Sequence, residues 1–396
     1  MTKTEPKSGD PNADLVARVR RQFEALHGRS PALVAVAPGR VNVIGEHVDY
    51  NGGWVLPAAI DRCLVMAVAP RDDDRVRLAT ADFDGLLEFS ARDLGPGSTK
   101  DWGRYVRGVM AGLARAGHNV PGFDACVAST IPVGGGLSSS AALEATTGLA
   151  GLALCGAEME RFRLAKLCQQ AEHDYAGVPC GIMDQAAVLC CEAGHLLLLD
   201  CEAETYQQTA FRAEGWSLLI INSGVAHELA SGEYALRRSA CEQAARRLRV
   251  PSLRHVGPDA LAGALALPGL TDEMRRCVRH VVTENDRTSR CVTALQRGDI
   301  AAAGQLLNAS HASLRDDYRV SCEELDFIAA TAQRDPSVAG CRMTGGGFGG
   351  SCVALVRQEG ADDVIRRIGD AFAAKFGPRP AAFVTTAAPG ARLIAV

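Results

Sequence analysis

PVGGGLSSSAALE, residues 132–144, sets three glycines against three serines just before an apolar helical run. Glycine has no Cβ, so the backbone there can approach a ligand closely. The first turn of the helix that follows presents unpaired N–H groups and a partial positive charge, which suits phosphate. A serine-capped turn is the plainer reading of so short a motif, so the rest of the chain has to decide. The Walker loop needs Gly-Lys-Ser/Thr, and no lysine stands here; the HRD and DFG signatures of protein kinases are also missing. A phosphate bound at this loop would take its positive charge from backbone dipoles and a metal. Ser138, Ser139 and Ser140 supply hydroxyls for that task.

Composition limits what surrounds the loop. A chain of 396 residues suggests two domains, with 47% apolar and 22% charged residues giving ordinary globular material. A net charge of -4 offers no basic field for nucleic acid. The 14 cysteines are scattered apart from Cys190 and Cys191, with no CxxC, and the start MTKTEPKSGDPNAD lacks an apolar signal core. Reduced cytosolic thiols serving as small hydrophobes are the expectation. No uncharged apolar run reaches the roughly 18 residues that span a bilayer.

Periodicity places the elements. After a loose arm over the first dozen residues, 14–27 repeats apolar residues at helical spacing, and LVAVAPG, 33–39, reads as a buried strand into a turn. Strands are expected at 63–70, 75–80, 124–130, 195–201 and 216–222. Helices are expected at 138–154, 158–174 and 183–191, followed by mostly helix over 231–335. The end alternates strand 351–356, helix 361–376 and strand 381–386. Strands in runs, then helices in runs, indicate an α+β chain with a boundary near 190–215.

Three further clusters bear on chemistry. MTGGGFGGSCVALV, 343–356, fits GxGxxG at Gly345, Gly347 and Gly350 but leads into a strand pattern, so the dinucleotide reading fails and packing against the first glycine loop is expected instead. PGRVNVIGEHVDYNGG, 38–53, crowds Arg40, Glu46, His47 and Asp49 among Val41, Val43 and Ile44. Carboxylates and a histidine facing a half-buried pocket suit a polyhydroxylated ligand, whose hydroxyls each donate and accept. AEHDYAGVPCGIMDQ, 171–185, holds Glu172 and Asp184 on either side of a bend; capping and solvation explain each about as well as catalysis. YALRRSACEQAARRLR, 234–249, reads as a solvated helical face.

Taken in order and at these intervals, GRVNVIGEHVDYNGG, PVGGGLSSSAALE, GVPCGIMDQ and MTGGGFGGS, with AHELASGEYALRRSACE at 226–242, resemble the GHMP small-molecule kinases on their galactose-phosphorylating branch. The resemblance runs from about residue 30 to the end. It implies a two-domain α+β kinase fold with the active site in the cleft: arm and first helix at 1–29, N-terminal domain at 30–200 and C-terminal domain at 201–396. It implies ATP-dependent phosphorylation of the anomeric hydroxyl of α-D-galactose, or of N-acetylgalactosamine or L-arabinose, or a sugar sensor that binds a regulatory partner. Gly134, Gly135, Gly136, Leu137, Ser138, Ser139 and Ser140 would wrap the triphosphate, with Ser140 and Glu172 on Mg2+. Trp102 and Tyr105, whose spacing permits one helical face, would close an adenine pocket. Asp184 would be catalytic with Arg40 as its partner, and Glu46, His47, Asp49, Gly181 and Tyr234 would contact sugar. The implied partners are sugar and ATP, without nucleic acid or membrane, in a cytoplasmic monomer or weak dimer. Val48, where the family usually has threonine, and Trp54, at a commonly smaller aromatic position, depart from the pattern.

Overall fold

A computed structural model describes residues 12–82, 85–96, 101–132, 134–226 and 230–394. The arm expected at the N-terminus lies outside them as far as residue 11. The chain opens with α1 (Ala13–His27), β1 (Leu33–Asn42), β2 (Trp54–Val55), β3 (Pro57–Pro70), β4 (Arg75–Thr80) and β5 (Leu86–Ser90). Then come α2 (Gly103–Arg115), β6 (Phe123–Ser129), α3 (Ser139–Leu154), α4 (Arg161–Ala171), α5 (Met183–Cys190), β7 (His195–Asp200), β8 (Thr205–Ala210) and β9 (Trp216–Ala226). A helical stretch follows: α6 (Ala230–Leu248), α7 (Leu261–Ala266), α8 (Asp272–Gln296), α9 (Ile300–Ser313) and α10 (Glu323–Gln333). The chain closes with β10 (Val338–Thr344), β11 (Gly349–Arg357), α11 (Ala361–Phe376), β12 (Ala381–Thr385) and β13 (Arg392–Ile394). The sequence reading does not anticipate helix α2 or strands β2, β5, β8, β10 and β13.

Among the described residues the strands form three sheets, ordered β13-β1-β3-β6-β4-β5, β10-β11-β9-β12 and β2-β7-β8. Every pairing is antiparallel except β4 with β6. Strand β1 is buried along its whole length. Its even positions Val34 and Val36 face Leu15, Val19 and Phe23 of α1, while Ala35 and Ala37 face the main core. That alternation is the period of two that a pleated strand imposes. The reading of 33–39 as strand into turn is corrected: the strand runs on to Asn42. The register against β3 shifts between Pro38 and Arg40, and a bulge is where a proline can be carried without losing a ladder bond.

Helix α3 lies buried on nearly all sides from Ala141 to Leu152. Small residues make this possible: a Cβ at Gly151 would stand 2.8 Å from Leu113 of α2, and one at Gly148 would stand 2.9 Å from Leu164 of α4. The phosphate-loop helix is therefore clamped between neighbouring helices and the first sheet. Toward the other end of the chain, β13 returns to pair with β1, so Arg392–Ile394 belong to the first sheet. All the cysteines are free, and most are buried among apolar side chains. On α6 and just beyond it, Arg246, Arg247 and Arg249 are solvated as expected, but Arg237 turns inward to donate to the Tyr318 carbonyl at 2.8 Å.

Candidate active site

The end of β1 meets the first glycine loop. A Cβ at Gly39 would stand 2.8 Å from the Leu137 carbonyl, which accepts from the Arg40 amide at 3.1 Å. The buried Arg40 side chain donates from Nε to Asp184 Oδ1 at 2.8 Å, from Nη2 to Oδ2 at 2.8 Å, and from Nη1 to the Gly136 carbonyl at 2.5 Å. Ser138 Oγ donates to Asp184 Oδ2 at 2.7 Å. A planar guanidinium fork fixes a carboxylate in both position and orientation. The loop itself needs its glycines: Gly134 and Gly136 have φ of 73° and 68°, and Ser138, just before α3, is also left-handed at 60°. The second glycine loop packs on the first, with Ser351 Oγ donating to the Gly135 carbonyl at 2.7 Å and Gly345 against Gly136.

Two cavities flank this junction. One of about 150 Å³ is lined by Arg40, Glu46, His47, Asp49, Gly181, Asp184 and Tyr234, the set expected to contact sugar and catalyse. Val178, Cys180, Met183, Gly345 and Gly346 complete its wall. Gly181 is required by contact alone, since a Cβ there would lie 1.8 Å from Asp49 Oδ2. Burial and the neighbouring Asp184 push the Asp49 carboxyl up to about 7, against an opposing hydrogen bond from the Tyr50 amide. Burial and then His280 bring His47 down to about 3, so its ring is neutral. Its Nε2–H donates to the Gly346 carbonyl at 3.2 Å, and its Nδ1 accepts from the Tyr50 hydroxyl at 2.9 Å. Burial and then Asp49 raise the Tyr234 phenol, which keeps it a neutral donor. Val48 is fully buried and does not line this cavity. Trp54 also stays out of it, its Nε1 donating to Asp200 Oδ2 at 3.0 Å beneath the Arg254 guanidinium.

The other cavity, of about 420 Å³, is lined by Trp102, Tyr105, Ser139 and Ser140 together with Leu64, Ile131 and Leu143. Its apolar wall suits an aromatic base, and its floor is the first turn of α3. Ser140 lies near Glu172, which it helps to keep ionised and which opens a π-helical turn, Glu172–Ala176, at the end of α4. Burial and the charge of Asp184 raise Glu172. A carboxylate short of positive charge beside a hydroxyl is a set of hard oxygens that fits Mg2+. Gln185 Nε2 bridges Glu172 Oε2 at 2.6 Å and Glu144 Oε2 at 3.1 Å, and the buried Glu144 Oε1 and Gln185 Oε1 have no partner.

Several of these groups escape the sequence reading. Glu144 and Gln185 stand inside quoted motifs yet look like ordinary helix residues. Arg342, which pairs with Glu46, is fully buried. His280 and Glu284 sit one turn apart on α8 among Cys277, Val278, Val281 and Val282, and that apolar setting is the one signal that could have marked them as buried. Tyr318, whose hydroxyl lies 2.8 Å from that of Tyr50, comes from a second π-helical turn.

The geometry has counterparts among known proteins. The galactokinase galactose-binding signature matches residues 21–70, the GHMP kinases N terminal domain residues 104–192 and the GHMP kinases C terminal domain residues 291–374. A Streptomyces coelicolor galactokinase is 48% identical over 94% of this chain and 97% of its own length. The Homo sapiens galactokinase is 44% identical over 96% of this chain and 97% of its own. The fold matches Lactococcus lactis galactokinase complexed with galactose at a TM-score of 0.92 and 32% identity, covering 96% of this chain and 99% of that one. Mevalonate kinase from Methanococcus jannaschii, at 18% identity and a TM-score of 0.66, shares the fold.

Proposed function

This chain belongs to the galactokinase family of the GHMP kinases, and from that premise we propose the reaction: ATP gives its γ-phosphoryl group to the anomeric hydroxyl of α-D-galactose, yielding galactose 1-phosphate and ADP. The observation that carries it is the Arg40–Asp184–Ser138 cluster, which stands where the glycine loop meets the 150 Å³ cavity. The sugar occupies that cavity, and the apolar cavity behind Trp102 and Tyr105 takes the adenine.

Asp184 faces the hydroxyl and accepts its proton as the oxygen attacks. Arg40 holds the carboxylate by two parallel bonds and stays beside the developing charge. Gly134, Gly135, Gly136, Leu137 and Ser138 wrap the phosphates, and the first-turn amides at Ser139 and Ser140 point their dipole at them. Ser140 and Glu172 would hold Mg2+, which when bound spreads the charge of the phosphates. Glu46, His47, Asp49, Tyr234 and the backbone at Gly181 fix the ring, so most of the rate comes from positioning.

The galactokinase galactose-binding signature over residues 21–70 takes in Arg40, Glu46, His47 and Asp49, which favours galactose over N-acetylgalactosamine. We assign residues 30–200 and 201–396 to the two kinase halves, with β13 lent back to the first sheet. No described helix is long and apolar enough to cross a membrane, and we place the enzyme in the cytoplasm as a monomer or weak dimer. The test is ADP release over a panel of monosaccharides with ATP and Mg2+. Turnover on galactose well above that on N-acetylgalactosamine and L-arabinose is expected. Turnover on another sugar alone would overturn the substrate, and none on any sugar would overturn the reaction.

A further inference from the structure

We infer that Glu46 is aimed into the sugar cavity by three residues of the C-terminal half, Arg342, His280 and Glu284, which set sugar affinity without touching the sugar. The inference rests on the assignment of Glu46 to the sugar. Each polar group of Glu46 that faces away from the cavity is held by a different one of the three. Its Oε2 accepts from Arg342 Nη2, its carbonyl accepts from His280 Nε2 at 3.0 Å, and its amide donates to Glu284 Oε1 at 3.3 Å. With Oε2 committed to Arg342, Oε1 is the oxygen left for a ligand.

The holders are themselves fixed. Glu284 Oε1 also accepts from the Gly45 amide at 3.1 Å and Ser310 Oγ at 2.6 Å, while Oε2 accepts from Arg287 Nε at 2.7 Å. Arg342 Nη1 donates to the Asn42 and Val43 carbonyls at 3.1 Å and 3.0 Å. Arg342, His280 and Glu284 are all fully buried, and none of them lines the cavity. A cluster of buried charges adds little stability over apolar side chains of similar volume, so its place behind a ligand-facing carboxylate points to positioning. The backbone conformation agrees. Gly45 is pressed so close to the next strand that a Cβ would lie 2.4 Å from the Trp54 carbonyl, and His47 follows in a left-handed conformation at φ 59°. A non-glycine residue keeps that conformation only where its surroundings over-determine it.

Purified enzyme carrying Arg342→Gln, Glu284→Leu, Glu284→Gln or Glu46→Gln, and the Glu46→Gln/Arg342→Gln double variant, is assayed for galactose and ATP KM and for thermal unfolding. Arg342→Gln and Glu284→Leu are expected to raise galactose KM roughly tenfold or more, with ATP KM within about twofold, because a mis-aimed acceptor leaves a sugar hydroxyl poorly paired. Glu284→Gln keeps an acceptor for both amides and restores most of the affinity. The double variant is no worse for galactose than the more affected single, since both changes disable one acceptor. Should Arg342→Gln not fold, Arg342→Lys, which keeps the charge but loses the fork, carries the same reading. Folded Arg342 and Glu284 variants with unchanged galactose KM, beside a Glu46→Gln variant with raised KM, overturn the positioning and leave the site standing. An unchanged KM in Glu46→Gln overturns the site assignment and this inference together.

Discussion

Asp184 and Asp49 are carboxylates of one cavity with different surroundings, and the difference separates their roles. Asp184 sits in the Arg40 fork and accepts from Ser138. Asp184→Asn keeps the volume and removes the proton acceptor, so kcat should fall about 10²- to 10⁴-fold while both KM values stay near wild type. Near-normal kcat in folded Asp184→Asn enzyme would rule the base out. Asp49 is raised from 3.8 to about 7 by burial and Asp184, so ionising it costs the folded state. The sign follows from that direction: the cost is absent below the unfolded value near 3.8, grows as pH rises, and is complete above about 7. Asp49→Asn should therefore melt higher than wild type at pH 8, by an amount of order a few kcal/mol at most, and lose the advantage near pH 4. Its galactose KM should be raised and flat with pH, while the wild-type KM should climb as pH falls through 7. Melting curves and KM against pH check both, and a pH-independent difference in melting would refute the raised carboxyl.

At the scale of elements, the bend between the π-helical turn at Glu172–Ala176 and α5 decides where Glu172, Gly181 and Asp184 land. Gly181 lies in that bend with Asp49 Oδ2 where a Cβ would go. Gly181→Ala must displace Asp49 or the bend, so galactose KM should rise about tenfold or more while ATP KM holds. Steady-state kinetics with each substrate varied separates the two, and an unchanged galactose KM would contradict the packing. On the other side of α3, Trp102 walls the apolar cavity at the start of α2. Trp102→Ala should weaken ATP by about 1–3 kcal/mol, the scale of base stacking on an aromatic ring, and leave galactose unaffected. Fluorescence titration with an ATP analogue measures it; loss of galactose affinity instead would mean that the cavity is not the nucleotide's. These elements were partly legible. PVGGGLSSSAALE reads as loop into helix because composition changes abruptly at its glycines, and the structure starts α3 at Ser139. Helix α2 was not read although Val106, Val109, Met110 and Leu113 recur in GRYVRGVMAGLAR at helical spacing on its buried face; its three glycines, poor helix formers, argue locally against the helix that packing on α3 and α4 secures.

At the scale of the molecule, β13 ties Arg392–Ile394 to β1, and Leu393 and Ile394 are buried by the pairing. Deleting residues 392–396 exposes one edge of the first sheet and removes two apolar side chains worth roughly 1.5–3 kcal/mol each when fully buried. The truncated chain should lose stability by an amount of that order, read as a lower urea midpoint. No change in the urea midpoint would show that the strand contributes nothing.

Most of the residues proposed to reach ligand stand in short contiguous motifs. Arg40 to Asp49 and Gly134 to Ser140 were legible as clusters because neighbouring positions keep them together, whereas Gly181 and Asp184 were marked only by the resemblance to the kinase family, since capping explained Asp184 about as well. Their partners were not readable. Arg342 meets Glu46 across 296 positions of sequence, and Tyr318 meets Tyr50 across 268. An arginine beside a strand, or a tyrosine in a helical segment, looks alike whether it faces solvent or a buried carboxylate. Local pattern thus determined the glycine loops, the fold class and the clusters proposed for sugar and phosphate. The tertiary structure decided which of those groups are held, neutralised or left free, because burial and pairing depend on what the whole chain brings within a few ångströms.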